Sequence, residues 1–169
     1  MAGLSSFLPS AEDGFLPYYL LLVSVAAIGN AVQNLVTLHY TRRIYNGLFV
    51  PRASARNDPD SVAKLQPSAD APPPKDKSAA VDQVTPLAAR LFGVYTILAG
   101  VIRVYGAYRV NDPVLYQLCL FTHLLAAAHF TSEAFVFKTV NLGWEHAFPF
   151  AAAFSGSWWM IQQYGNYVQ

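Results

Sequence analysis

Charge is scarce in this sequence, and most of it sits in one place. Only 12% of the 169 residues are charged and 54% are hydrophobic, about half the charged fraction usual in soluble domains. Eight of the eleven Lys and Arg fall between Arg42 and Arg90. The rest of the chain cannot cover a water-soluble globule with polar surface. A net charge of +1 gives no case for a nucleic-acid binder, which needs a basic face to neutralise phosphates. Cysteine is nearly absent. Cys119 stands alone in an apolar run, so neither an intrachain disulfide nor a thiolate zinc site can form. Its thiol reads as a small apolar core group. The four histidines, His39, His123, His129 and His146, are too few and too scattered for a diiron centre. The first residues lack a basic n-region, and Glu12 and Asp13 precede the first apolar run. A cleaved signal or transit peptide is therefore not expected. The length fits one domain, residues 1–169.

What the sequence does have is four apolar stretches, at about residues 17–39, 87–109, 113–137 and 146–164. Each is close to the ~20 residues an α-helix needs to cross a bilayer. They are apolar nearly all round, unlike the amphipathic helices of a soluble bundle. They also lack the period-two alternation of barrel strands. The predicted fold class is all-α: a polytopic membrane protein built as a four-transmembrane-helix bundle. No strand is expected, so no phosphate loop can follow one. Residues 51–86 hold seven of the eleven prolines, including Pro72, Pro73 and Pro74. That composition predicts a disordered loop between the first and second helices. The other links are short and make the second to fourth helices antiparallel neighbours. Arg42, Arg43, Arg90 and Lys138 place the loop at 40–86 and the third link in the cytosol, with both termini opposite. Tyr18, Tyr19, Tyr108, Trp144, Trp158, Trp159, Tyr164 and Tyr167 fall where interfacial belts belong.

Polar groups in hydrocarbon need partners. The first stretch carries Asn30, Gln33 and Asn34 on one side. The third carries His129 and Glu133, four apart and so adjacent on a helix. Depth decides which can meet. By helix rise, Arg103 and Glu133 lie about 20 Å apart across the membrane, which argues against an ion pair. Asn30, Gln33, Asn34, His129 and Glu133 share one level and predict a polar layer in the cytosolic half. Arg103 shares its level with Tyr116, Gln117 and His123, and its length lets it snorkel to the lumenal headgroups. The layer reads in three ways: as hydrogen-bonding glue between helices, as a pocket for a lipid headgroup such as a sterol hydroxyl, or as a catalytic or metal pair. No catalytic residue, metal ligand or cofactor is assigned. Gly93, Gly100 and Gly106 permit close approach by a helix of this chain, of a second copy or of another protein. Trp158 and Trp159, with Phe148 and Phe154, are candidates for partner contact or ordinary lipid contact.

Between Leu87 and Gly143 the chain reads AARLFG, IRVYGAY, the turn Asn111-Asp112-Pro113, then HFTSEAFVFKT before Leu142 and Gly143. The first stretch adds the Asn30–Gln33 pair and an exit running from Thr41 through two arginines to Tyr45. In this order and spacing these elements resemble the ergosterol biosynthetic protein 28 family. The resemblance covers nearly the whole chain except the two ends and residues 51–86, a loop longer and richer in proline than the family leads one to expect. It implies a non-catalytic scaffold of the endoplasmic reticulum membrane. The tethered enzymes would be the C-4 methylsterol oxidase, the decarboxylating sterol-4-carboxylate 3-dehydrogenase and the 3-ketosteroid reductase. It also implies contacts with sterol C-24 methyltransferase and self-association. Holding enzymes together raises their effective concentration without any reactive group of the scaffold's own. The alternative is a sterol-binding protein that presents or shuttles intermediates between those enzymes.

Overall fold

A computed structural model describes residues 7–55, 58, 60–71 and 79–168. Four long helices dominate it: α1 (Leu16–Val36), α3 (Pro86–Tyr108), α4 (Pro113–Phe135) and α5 (Ala147–Tyr167). Their starts follow from local chemistry. Thr85 and Asp112 cap α3 and α4, accepting from Ala88 N at 3.1 Å and from Val114 N at 2.9 Å. Pro86 and Pro113 take the first helical positions, where no amide donor is needed. Among the described residues, α1, α3 and α4 are long and apolar enough to cross a membrane. The helix α5 has the length, 21 residues, but Gln162, Gln163, Asn166 and its serines and glycines dilute its hydropathy.

Two expected boundaries move. The first helix does not run to His39: Thr37 is extended, with φ −147°, and its hydroxyl accepts from His39 N at 3.2 Å. A short helix, α2 (His39–Ile44), then turns away. The third apolar stretch ends its helix at Phe135, and Lys138 adopts a left-handed φ of 57° that folds the chain back onto Glu133.

The region after α2 is also not strand-free or wholly disordered. Two short antiparallel strands, β1 (Phe49–Pro51) and β2 (Leu65–Pro67), pair Phe49 with Pro67 and Pro51 with Leu65, and Phe49 bridges further to Val81. Composition averages hide that this region buries apolar side chains: Phe49, Ala71 and Val84 are all buried. Arg42–Asp82 (3.2 Å) and Lys138–Asp70 (2.7 Å) ion pairs pin it. Pro72, Pro73 and Pro74 lie outside the described residues.

The packing is paired. The helix α1 lies chiefly along α3, and α4 along α5, with lighter contact between α3 and α4. A methyl at Gly100 would stand 3.2–3.5 Å from Ile28, Ser24 and Ala27, and one at Gly93 would touch Ala31 and Asn34. At Gly106 it would lie 2.2 Å from Cys119 Sγ. All three glycines therefore serve contacts within the chain. At the end near the termini, Leu16, Leu20, Ala107, Val110, Tyr116, Cys119 and Met160 form the apolar core.

Candidate functional site: a cleft and its polar cap

Between the two helix pairs runs a cleft of about 540 Å³, walled by all four long helices. Its sides are mostly alanine and aromatic, with Ala27, Phe92, Phe130, Phe148 and Ala153 among them. A few polar groups face into it, Asn30, Gln33, His129, Arg103 and His123 among them. Size and lining suit an apolar ligand oriented by a small number of polar contacts. A second hollow of about 460 Å³ lies between α3, α4 and the segment after α2, bordered by Tyr45, His129, Glu133 and Thr139.

The expected single layer is divided into two networks. On α1, Gln33 Nε2 donates to Asn34 Oδ1 (2.8 Å) and to Asn30 Oδ1 (3.2 Å), and Thr41 donates to the same Asn34 oxygen at 2.7 Å. On α4, His129 Nε2 shares a 2.7 Å hydrogen bond with the Tyr45 hydroxyl, and its Nδ1 stands 3.9 Å from Glu133 Oε1. Thr139 donates its hydroxyl to Glu133 Oε2 and its backbone N–H to Glu133 O at 2.9 Å. Among the described residues no hydrogen bond joins the amides to His129 or Glu133. The reason is the pairing of helices: α1 packs on α3, so Asn34 is held by Thr41 of α2, while Asn30 and Gln33 line the cleft. Gln33 Oε1 and Asn34 Nδ2 stay buried without a partner.

The returning chain is the part that sequence reasoning missed. Residues 41–47 interlock with residues 138–146. Gly47 N donates to Thr139 O at 2.8 Å, and Asn46 and Asn141 exchange hydrogen bonds of 3.1 and 2.7 Å. A Cβ on Gly47 would lie 2.4 Å from Lys138 O, so only glycine fits this crossing. Buried His146 donates from Nε2 to Ile44 O at 2.7 Å, leaving Nδ1 to accept from Gly143 N at 3.1 Å. Burial, and next the Glu133 carboxylate, push the Tyr45 phenol up, so it stays neutral beside His129. Arg43 pairs with Glu145 at 3.3 Å on the rim of the cleft. The only sequence signal for this cap was motif co-occurrence, the Thr41-to-Tyr45 exit and the HFTSEAFVFKT run, which here meet in space.

Arg103 does not snorkel. Its Nε donates to Thr122 Oγ1 at 2.8 Å and its Nη2 to Thr122 O at 3.2 Å. Tyr116 and Gln117 instead bond α5, at Met160 O (2.6 Å) and the Tyr164 hydroxyl (2.6 Å). Tyr19, expected in a belt, is turned inward: its hydroxyl donates to Ala152 O at 2.7 Å and its ring packs on Trp159 at 5.5 Å. Trp158 is exposed and Trp159 half-buried. Among the described residues, no three of His, Cys, Asp and Glu cluster as metal ligands would.

Apolar helices of spanning length, small residues at their crossings and polar groups turned inward define a helical membrane protein with an internal cleft. The family described as Erg28 like protein matches residues 16–158, and the chain belongs to that family. It is 41% identical to ergosterol biosynthetic protein 28 of Gibberella zeae, over 100% of this chain and 99% of that protein. With ergosterol biosynthetic protein 28 of Saccharomyces cerevisiae the identity is 28%, over 95% of this chain and 88% of the yeast protein. A human homolog of ergosterol biosynthetic protein 28 is 46% identical over 33% of this chain and 40% of its own length. No solved structure matches the chain.

Proposed function

We propose that this protein acts in ergosterol biosynthesis as a non-catalytic scaffold of the endoplasmic reticulum membrane. It would hold the C-4 methylsterol oxidase, the sterol-4-carboxylate 3-dehydrogenase and the 3-ketosteroid reductase in one patch of bilayer, with sterol C-24 methyltransferase and a second copy as further contacts. The pathway comes from the names that full-length relatives carry. The observation that carries the scaffold role is how the ionisable groups are used. His129 and Glu133 are engaged in bonds that fasten the cap to α4, and His146 in one that ties the two segments of the cap together. What remains on the outside is apolar and aromatic, with Trp144, Phe148, Phe154 and Trp158 exposed on and beside α5. Such a surface meets partner helices or lipid. We place the cap end in the cytosol, since Arg42, Arg43 and Lys138 lie there, and the termini in the lumen, with α5 as a fourth crossing.

The test is affinity purification of the tagged chain from detergent-solubilised membranes. Recovery of the three demethylation enzymes is expected, and recovery of none of them removes the scaffold reading. The cleft favours a second reading, a protein that presents sterol intermediates, because its Asn30–Gln33 end is suited to a neutral hydroxyl.

A further inference from the structure

Arg103 is a cation buried within a membrane-spanning helix, 9% exposed, and it faces the cleft. Its Cα–Cβ bond points toward the start of α3, away from the nearer helix end. Cys119 meets the backbone of Ile102, and Thr122, which holds the guanidinium, lies one turn further in, about 4–5 Å. The charge therefore turns toward the bilayer interior. A guanidinium has five N–H donors, and two are used here, both on Thr122. Among the described residues no carboxylate pairs with it. Its titratable neighbours are Tyr19 on α1, Tyr95 on its own helix, and Cys119 and His123 on α4, and none of them is a carboxylate. His123 donates Nδ1 to Cys119 O at 2.8 Å, and its buried Nε2 has no partner. The other charges on the cleft, Arg43 and Glu145, neutralise each other at its far rim.

An intramembrane charge without a counterion calls for one. We infer that the cleft binds an amphiphile bearing a single anionic group, carboxylate or phosphate, with that group on Arg103 and its apolar body along Phe92, Ala99 and Phe130. Along α3, Phe92 and Arg103 are separated by roughly 16 Å of helix rise, room for an extended apolar body. The inference rests on the cleft being a ligand site and is independent of enzyme tethering.

The experiment uses the purified full chain in nanodiscs of uncharged lipid, at alkaline pH, where a fatty acid is ionised. It is titrated with oleate, oleyl alcohol and oleoyl lysophosphatidate, and binding is read from tryptophan fluorescence. Oleate or lysophosphatidate, or both, should bind at least about tenfold tighter than the alcohol, the scale of one charged hydrogen-bonded contact. A preference confined to one anion identifies the group as carboxylate or phosphate. Arg103→Gln should erase the preference, Arg103→Lys should keep part of it, and Ala126→Trp, which fills the cleft, should weaken all three. Equal affinity for anions and alcohol in the unaltered chain overturns the anion assignment while leaving a ligand site. Absence of binding by any of the three overturns both. Neither result touches the scaffold reading. The comparison in the unaltered chain decides the matter even if a variant does not fold.

Discussion

The two ends of the bundle are held together by different forces. Near the termini, Leu16, Leu20, Tyr116, Cys119 and Met160 are all buried to within about one per cent and pack as a dry core. Polar groups there close on neighbouring helices at short range, as Tyr116 does on Met160 O and Tyr167 on Asp13 O at 2.6 Å. Toward the opposite end the cleft lies between the two helix pairs. What joins them is the interlock of residues 41–47 with 138–146, made of hydrogen bonds, one buried histidine and exposed ion pairs. One end behaves as an apolar clamp and the other as a hydrogen-bonded latch over a cavity. A ligand site is best built where packing is loose and polar groups hold the shape, because tight packing leaves no room and lipid offers no hydrogen bonds.

The sharpest way to break this contrast is to cut into the clamp. Leu20→Ala should cost about 2–5 kcal/mol, because the surrounding helices cannot close over the space left. Thermal unfolding in detergent should show it, while the cleft keeps its ligand affinity. A loss below about 1 kcal/mol would mean the clamp is not the stabilising end. Gly47→Ala attacks the latch. Its methyl meets the Lys138 carbonyl, a backbone atom that cannot rotate away. Overpacking of this kind costs about 1–3 kcal/mol. Hydrogen exchange should rise selectively around residues 41–47 and 138–146 while α1 and α3 stay protected. Uniform exchange across the molecule would show that latch and clamp are one unit.

The smallest effect is expected from pH. The Glu145 carboxyl is held below its ordinary value of 4.5, first by its own backbone N–H and then by Arg43. A depressed carboxyl contributes stability that is present above its ordinary pKa and is lost as pH falls through the lower folded value. Acidification below pH 4.5 should therefore loosen the latch slightly, and less so in Arg43→Gln. The pair is exposed, so screening keeps the difference small. An acid loosening of equal size in Arg43→Gln would remove this pair from the account.

Much of this was legible in the residues. Length and hydropathy place the long helices within a few residues, because the cost of an unpaired backbone in lipid leaves few alternatives to a helix. Thr85-Pro86 and Asp112-Pro113 mark two starts by capping chemistry alone. The polar positions Asn30, Gln33, Asn34, Arg103, His129 and Glu133 stand out against an apolar background. Their partners do not. Tyr45 meets His129 across 84 residues, and His146 meets Ile44 across 102. Depth arithmetic separates levels along the membrane normal but says nothing about which helix faces which. For that reason depth alone matches Arg103 with Tyr116 and Gln117 and not with Thr122. The strand pair is not legible because proline content, averaged over residues 51–86, conceals the few apolar residues buried there.

By itself, then, the order of residues determined that this chain forms spanning helices, where they begin, and which few polar groups must find company inside them. Those outcomes depend on interactions within a turn or two, so a one-dimensional reading reaches them. The pairing of α1 with α3 and of α4 with α5, the cleft between the pairs and the inward turn of Arg103 were settled only in three dimensions. They follow from which small residues let two backbones approach, and that is a property of facing surfaces, not of either helix alone.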